Sequence, residues 1–333
     1  MPCSIFKMDR ALAMLFGRVM AGLALFFLLQ SCQKLDCRTE DPSCSLTGGM
    51  SLLLSSGVVL IPDPKIYVGD RGNGLYRMDD MTGSGQTLYD GSAGTAFSDL
   101  RDVYVDENGN LYAATRLPGR IYKFQDMSGT GQQEYTGTAG TVFSQAYGVF
   151  ADPSGRIYMV DQGNDMAASF DDMVGTNQQE YSGAPAFNNP NRIFVGPDSK
   201  IYISDGLIGQ IRRLDDLTGT GEVTYNGSAG TTFGGAFGIF VTSSHIYVVD
   251  PSNALVHRFD DMVGSNTVTY DGSAGTPFSF PRGIWVDSLN RIYVTDETND
   301  LVYRFDDMSG TNQIEYNGSA GTPFSNPTAV VVR

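Results

Sequence analysis

From residue 57 onward, short apolar runs alternate with polar, glycine-containing turns, and no segment there sustains an apolar period of 3.6 residues. That pattern predicts strands joined by tight turns rather than helices. In one stretch, Gly283-Ile284-Trp285-Val286 reads as a first strand, and a turn over Asp287 to Asn290 leads to a second, Arg291 to Thr295. Leu301 to Phe305 reads as a third and Gln313 to Tyr316 as a fourth, separated by the polar turn from Asp306 to Asn312. First strands such as Ile193-Phe194-Val195 are apolar without clean alternation, as expected of a strand covered on both faces.

The same four-strand phrase recurs. Ile66-Tyr67, Leu111-Tyr112, Ile157-Tyr158, Ile201-Tyr202, Ile246-Tyr247 and Ile292-Tyr293 follow one another at spacings of 45, 46, 44, 45 and 46. A second phrase keeps that rhythm: Asp79-Asp80-Met81, Gln125-Asp126-Met127, Asp171-Asp172-Met173, Asp215-Asp216-Leu217, Asp260-Asp261-Met262 and Asp306-Asp307-Met308. A third closes each unit, as in Tyr270-Asp271-Gly272-Ser273-Ala274-Gly275-Thr276-Pro277-Phe278. Repeats of this length, each holding four short antiparallel strands, predict an all-β, six-bladed β-propeller. Pro327-Thr328-Ala329-Val330-Val331-Val332 is a first strand with no unit after it, so it is expected to complete the first blade and close the ring. Gly57-Val58-Val59-Leu60 aligns to the same place but lacks the full signature, leaving the carboxy-terminal strand favoured.

The phrase Pro281-x-Gly283-Ile284-x-Val286-Asp287 running into Arg291-Ile292-Tyr293-Val294-Thr295-Asp296 resembles the NHL repeat. The resemblance spans residues 57–333 and implies a toroid around a central channel. It is specific for fold and not for activity, because the family hosts binding modules and a few enzymes.

Residues 1–31 read differently. Lys7, Arg10 and Arg18 precede an apolar run from Val19 to Leu29, ending at Leu29-Gln30-Ser31-Cys32. This is the layout of a secretory signal, and the run is short for a membrane span. The alternative is an uncleaved amino-terminal anchor. The ending resembles a bacterial lipobox, apart from Gln30, and the resemblance implies that Cys32 carries lipid as the first mature residue. Gln33 after it resembles lipoproteins passed to the outer membrane, so the cell envelope, outer membrane or cell surface, is the expected location. Residues 32–56 read as a polar tether in which Cys37 and Cys44 either pair or remain free thiols. The propeller region contains no cysteine.

The formal charge is −15, and loss of the net +2 of residues 1–31 takes it to −17. Such an acidic protein repels nucleic acid and anionic headgroups, although acidity also serves plain solubility. Amidating lyases that resemble NHL propellers depend on a three-histidine zinc site, and this chain has only His245 and His257. No glycine-rich nucleotide loop follows a strand. The Asp-Asp-Met turns lack the closing glutamate of a calcium loop. No metal, cofactor or catalytic residue is assigned.

Positions repeated in every unit are explained first by architecture. The second strands end in Asp70, Thr115, Asp161, Asp205, Asp250 and Asp296, expected to bond backbone at the next hairpin. The third strands carry Arg77, Lys123, Ser169, Arg213, Arg258 and Arg304, and one-to-one pairing of the two columns is not established by the pattern. Function is sought where the copies differ. The loops after the second strands share a face with the blade-to-blade connections. There Leu117, Leu207 and Ile208 are apolar, and Arg71 and Arg116 stand on adjacent blades of an acidic protein. Asn253 and Asn299 complete the candidate binding loops. The expectation is a monomeric, membrane-anchored, non-enzymatic propeller whose loop face binds a protein or glycan. The competing expectation is a lactonase-like or streptogramin-lyase-like enzyme acting on a small molecule at the channel mouth.

Overall fold

The structure is a computed structural model that describes residues 64–333. Cys32, Cys37, Cys44 and the segment Gly57-Val58-Val59-Leu60 lie outside the described residues. Twenty-four strands form six four-stranded antiparallel sheets, the blades of the expected propeller. The inner strands, from blade 1 to blade 6, are Pro327–Val332, Leu100–Val105, Ala146–Ala151, Pro190–Val195, Ile239–Val241 and Pro281–Val286.

Ring closure is the one anticipated. Pro327–Val332 pairs antiparallel with Ile66–Asp70, in the register Ile66 to Val332 and Val68 to Val330, so the last strand supplies the inner edge of the first blade. Lys65 and Arg333 extend the ladder through reciprocal backbone bonds. Held this way, the carboxy-terminal strand leaves Ile66–Asp70 paired on both sides, so the first blade lacks no strand.

Neighbouring blades are stitched on their outer strands. Tyr89 donates its hydroxyl to Gln132 of the next blade at 2.5 Å, Tyr270 donates to Gln313 at 2.5 Å, and Tyr316 crosses the closure to Gln86 at 2.6 Å. The hydroxyl sits against the glycine of the next Asp-Asp-Met turn. A Cβ on Gly129 would lie 1.9 Å from the Tyr89 hydroxyl oxygen, and the residue also needs φ of +76°. The repeated glycine is therefore fixed by the neighbouring blade as well as by its own turn.

The two charged columns do not pair with each other. Arg77 aligns with Tyr67 and Asp70 with Gly74, which puts them at opposite ends of one hairpin. Asp70 accepts backbone N–H bonds from Ser325, Gly72 and Asn73 at 2.6, 2.9 and 2.9 Å. Asp161, Asp250 and Asp296 do the same, binding both their own hairpin and the connection that enters the blade. These aspartates are scaffold. In blades 1, 3 and 4 the residue before the second strand pairs with the first residue of the Asp-Asp-Met turn, Lys65 to Asp79 at 3.1 Å, Arg156 to Asp171 and Lys200 to Asp215 at 2.9 Å, whereas Arg291 of blade 6 pairs with Asp287 at 2.7 Å. In blade 2 both members are neutral, Asn110 and Gln125.

Candidate functional site

The inner strands fill the axis of the ring layer by layer. At the end away from the connections, Tyr104, Phe150, Phe194, Phe240 and Trp285 form a chain of aromatic contacts with centroids 4.5 to 4.9 Å apart, and Tyr104 returns to Trp285 at 6.2 Å. Val331 takes the sixth place. Above this lies an aliphatic layer including Val103, Val149, Ile193, Ile239, Ile284 and Val330. The next layer holds one ion pair, Asp102 of blade 2 with Arg192 of blade 4, while the other blades contribute Gly148, Gly238, Gly283 and Ala329. The glycines also admit close strand approach, since a Cβ on Gly283 would meet the Ala329 Cα at 2.8 Å.

The cavity left within these layers is about 30 Å³, and that above the ion pair about 10 Å³. Neither exceeds the room of one or a few waters. The central channel implied by the NHL resemblance is thus occupied by the protein's own side chains. Burial pushes the Asp102 carboxyl up to about 6 against the pull of Arg192, and burial likewise lowers the Arg192 guanidinium.

On the connection face, register shifts in several inner strands turn one residue per blade toward the mouth. The mouth residues are Thr328, Arg101, Tyr147, Asn191, Phe237 and Arg282. Arg101 lies 4.9 Å from the Tyr147 ring, and Arg282 lies 4.7 Å from both Phe237 and Phe280. Around them the sequence-level candidates Arg71 and Arg116 come together through Asp99. Arg71 reaches Asp99 at 2.8 Å and Glu297 at 3.0 Å, Arg116 reaches Asp99 at 3.4 Å, and Arg101 reaches it at 2.7 Å. Arg282 bonds Glu297. Arg71, Arg101, Arg116 and Arg282 thus face Asp99 and Glu297, a local excess of cation on a chain of net charge −15. The Nε of Arg101 is buried without a partner among the described residues.

The other candidates separate into two kinds. Asn253 donates to the Thr232 carbonyl at 3.0 Å and to Asp250 at 2.8 Å, and Asn299 donates to the Pro277 carbonyl at 3.0 Å. Asn73 and Asn164 make the same loop-to-connection bond, so these asparagines hold the loops in place. Leu117, Leu207 and Ile208 are exposed, at 51%, 66% and 42%. They stand on blades 2 and 4, with the polar loop of blade 3 between them.

Sequence reasoning misses Asp99, Arg101, Arg282, Asp102 and Arg192. Their signal is a column of inner-strand positions whose copies disagree in charge and size. The two histidines are not at the mouth: His257 is fully buried with Nε2 3.5 Å from Asp250, and His245 lies on the opposite face with Nδ1 2.8 Å from Asp260. Among the described residues no group of three His, Cys, Asp or Glu is placed to hold a metal.

No family model and no curated protein matches the chain. Solved structures do. A chain of a nidogen/laminin complex superposes with a TM-score of 0.62 at 14% identity, covering 81% of this chain and 98% of that one. A streptogramin B lyase gives 0.55 at 16% identity over 81% and 88%. A catalytically inactive histidine-to-alanine variant of virginiamycin B lyase from Staphylococcus aureus, with quinupristin, gives 0.53 at 15% identity over 78% and 86%. At such identities the likeness carries the fold alone. This chain is a six-bladed β-propeller.

Proposed function

We propose that this protein is a lipid-anchored, NHL-type propeller that binds a protein or glycan partner through its connection face, without catalysis. The observation that carries the reading is the filled axis. The aromatic, aliphatic and ion-pair layers leave cavities of about 30 and 10 Å³, far below the several hundred Å³ of a small-molecule site. A ligand on this face rests against its surface instead of entering the ring.

The surface offers two kinds of contact. The arginine cluster around Asp99 and Glu297 suits a partner bearing carboxylate, sulfate or phosphate. Leu207 and Ile208 of blade 4 supply an apolar contact across the mouth from it. A lyase in the manner of the structural neighbours has no histidine at this mouth to work with. The anchor rests on Cys32, which would hold the protein at the envelope.

The test is a capture experiment with the full-length chain immobilised through its carboxy terminus. A partner retained by the native protein should be lost on Leu207→Asp with Ile208→Asp, and weakened on Arg71→Ala. It should be kept on Val263→Asp, an exposed site in an Asp-Asp-Met turn on the opposite face. Cys32→Ala should release the protein from membranes. Retention of the partner by the Leu207/Ile208 variant would contradict the face assignment, and full membrane attachment of the Cys32 variant would contradict the anchor.

A further inference from the structure

The face opposite the connections carries a local departure from six-fold repetition, and it is independent of the partner face proposed above. In blades 2, 3, 4 and 6 a five-residue turn joins inner and second strands: Asp106 to Asn110, Asp152 to Arg156, Gly196 to Lys200 and Asp287 to Arg291. In blade 5 the turn is Thr242-Ser243-Ser244-His245, one residue shorter. A cleft of about 340 Å³ opens there, between blades 5 and 6. Its size falls in the range of small-molecule sites.

The shortened turn also removes a carboxylate. Tyr112, Tyr158, Tyr202 and Tyr293 each donate to an aspartate of their own turn, Asp106, Asp152, Asp198 and Asp287, at 3.2, 3.3, 2.9 and 3.2 Å. The blade 5 equivalent is Tyr247, and Thr242 stands where the turn would begin with aspartate. Thr242 Oγ1 instead accepts from the backbone N–H of His245 at 2.9 Å. Tyr247 is only 5% exposed, lines the cleft, and its hydroxyl donates to no acceptor among the described residues.

The remaining lining is mixed in character. Arg258 makes no ion pair among the described residues and lies on one wall. Asp306 and Asp307 lie on another, each with one carboxylate oxygen accepting from its own turn, from Asn312 and Ser309, and the other oxygen without a bond among the described residues. Ser243, Ser244 and Asn290 add hydroxyl and amide groups at the rim. His245 is tethered through Nδ1 to Asp260 at 2.8 Å, which orients the ring. An anion would meet two carboxylates, and a cation would meet Arg258. A hydroxyl group can accept from Tyr247 and Arg258 and donate to Asp306 and Asp307.

We infer that the blade 5–6 cleft is a binding site for a neutral sugar, a single hexose unit whose hydroxyl takes the place of the missing turn aspartate at Tyr247. Saturation-transfer NMR on the purified full-length chain tests this, with glucose, galactose, mannose and glucuronate as probes. At least one neutral hexose should receive transfer, with a dissociation constant in the millimolar range, on the order of −4 kcal/mol. Thr242→Asp restores the acceptor that other blades have, and Ser244→Trp fills the cleft. Each should weaken the signal at least ten-fold while the thermal midpoint stays near native. Leu207→Asp with Ile208→Asp should leave it unchanged, which separates this site from the connection face. No transfer to any neutral hexose, a preference for glucuronate, or transfer that survives both cleft variants would overturn the proposal.

Discussion

Arg192 and Asp102 meet across the axis of the ring, Nε to Oδ1 at 3.2 Å, and together they join four blades. Arg192, from blade 4, also donates to the carbonyls of Tyr147, Arg101 and Thr328 at 2.9, 2.6 and 2.8 Å, on blades 3, 2 and 1. Asp102 accepts from the backbone N–H of Val149 at 2.9 Å. One guanidinium thus satisfies carbonyls that the filled axis shields from water.

Removing that guanidinium leaves a buried carboxylate and three carbonyls without their partner. Arg192→Met should destabilise the propeller by about 3–5 kcal/mol, read by urea denaturation. Adding Asp102→Leu should recover part of the loss, because the double variant buries no lone charge. A single variant within about 0.5 kcal/mol of native would show that the pair does not hold the axis.

The outer stitching is tested by two glycines of similar backbone geometry. Gly109 has φ of +81° and nothing within 4 Å of the place a Cβ would take, whereas Gly129 has φ of +76° and the Tyr89 hydroxyl at 1.9 Å. Gly109→Ala should cost about 1–2 kcal/mol from backbone strain alone. Gly129→Ala should cost clearly more by the same measurement, and Tyr89→Phe should reduce its excess. Equal costs would mean that the blades are not locked through this contact.

Stability should also depend on pH through Asp70. Burial raises its carboxyl to about 6, outweighing the backbone bonds from Ser325, Asn73 and Gly72. The unfolded chain titrates near 4, so the folded state holds the proton more tightly. This contribution is fully present below about pH 4 and is lost as pH rises through 6. The native chain should therefore lose on the order of 2–3 kcal/mol more between pH 4 and 7 than Asp70→Asn does. Parallel stability profiles for the two proteins would contradict the assignment.

Much of this architecture is legible in the sequence because each blade repeats it. The Ile-Tyr and Asp-Asp-Met phrases recur in register, and the Pro327–Val332 strand announces the closure by having no blade after it. What is not legible depends on places where one copy acts for all six. A single arginine fills the axis because Gly148, Gly238, Gly283 and Ala329 leave room for it, a relation between residues of different blades that no local pattern contains. Arg71 and Arg116 stand out by their charge, but Asp99, which draws them together, reads as an ordinary connection residue. The shortened Thr242–His245 turn shows in the sequence only as one missing residue, and its consequence at Tyr247 appears when the hairpins are superposed.

The proposed partner is expected to meet the connection face and not the ring's interior. The most direct measurement is photocrosslinking in cells producing the full-length chain, with benzoylphenylalanine placed at Leu207 or at Val263. Position 207 should give a discrete adduct that disappears on Arg71→Ala with Arg116→Ala, and position 263 should give none of that mass. An adduct formed equally from both positions, or from 263 alone, would contradict the face assignment.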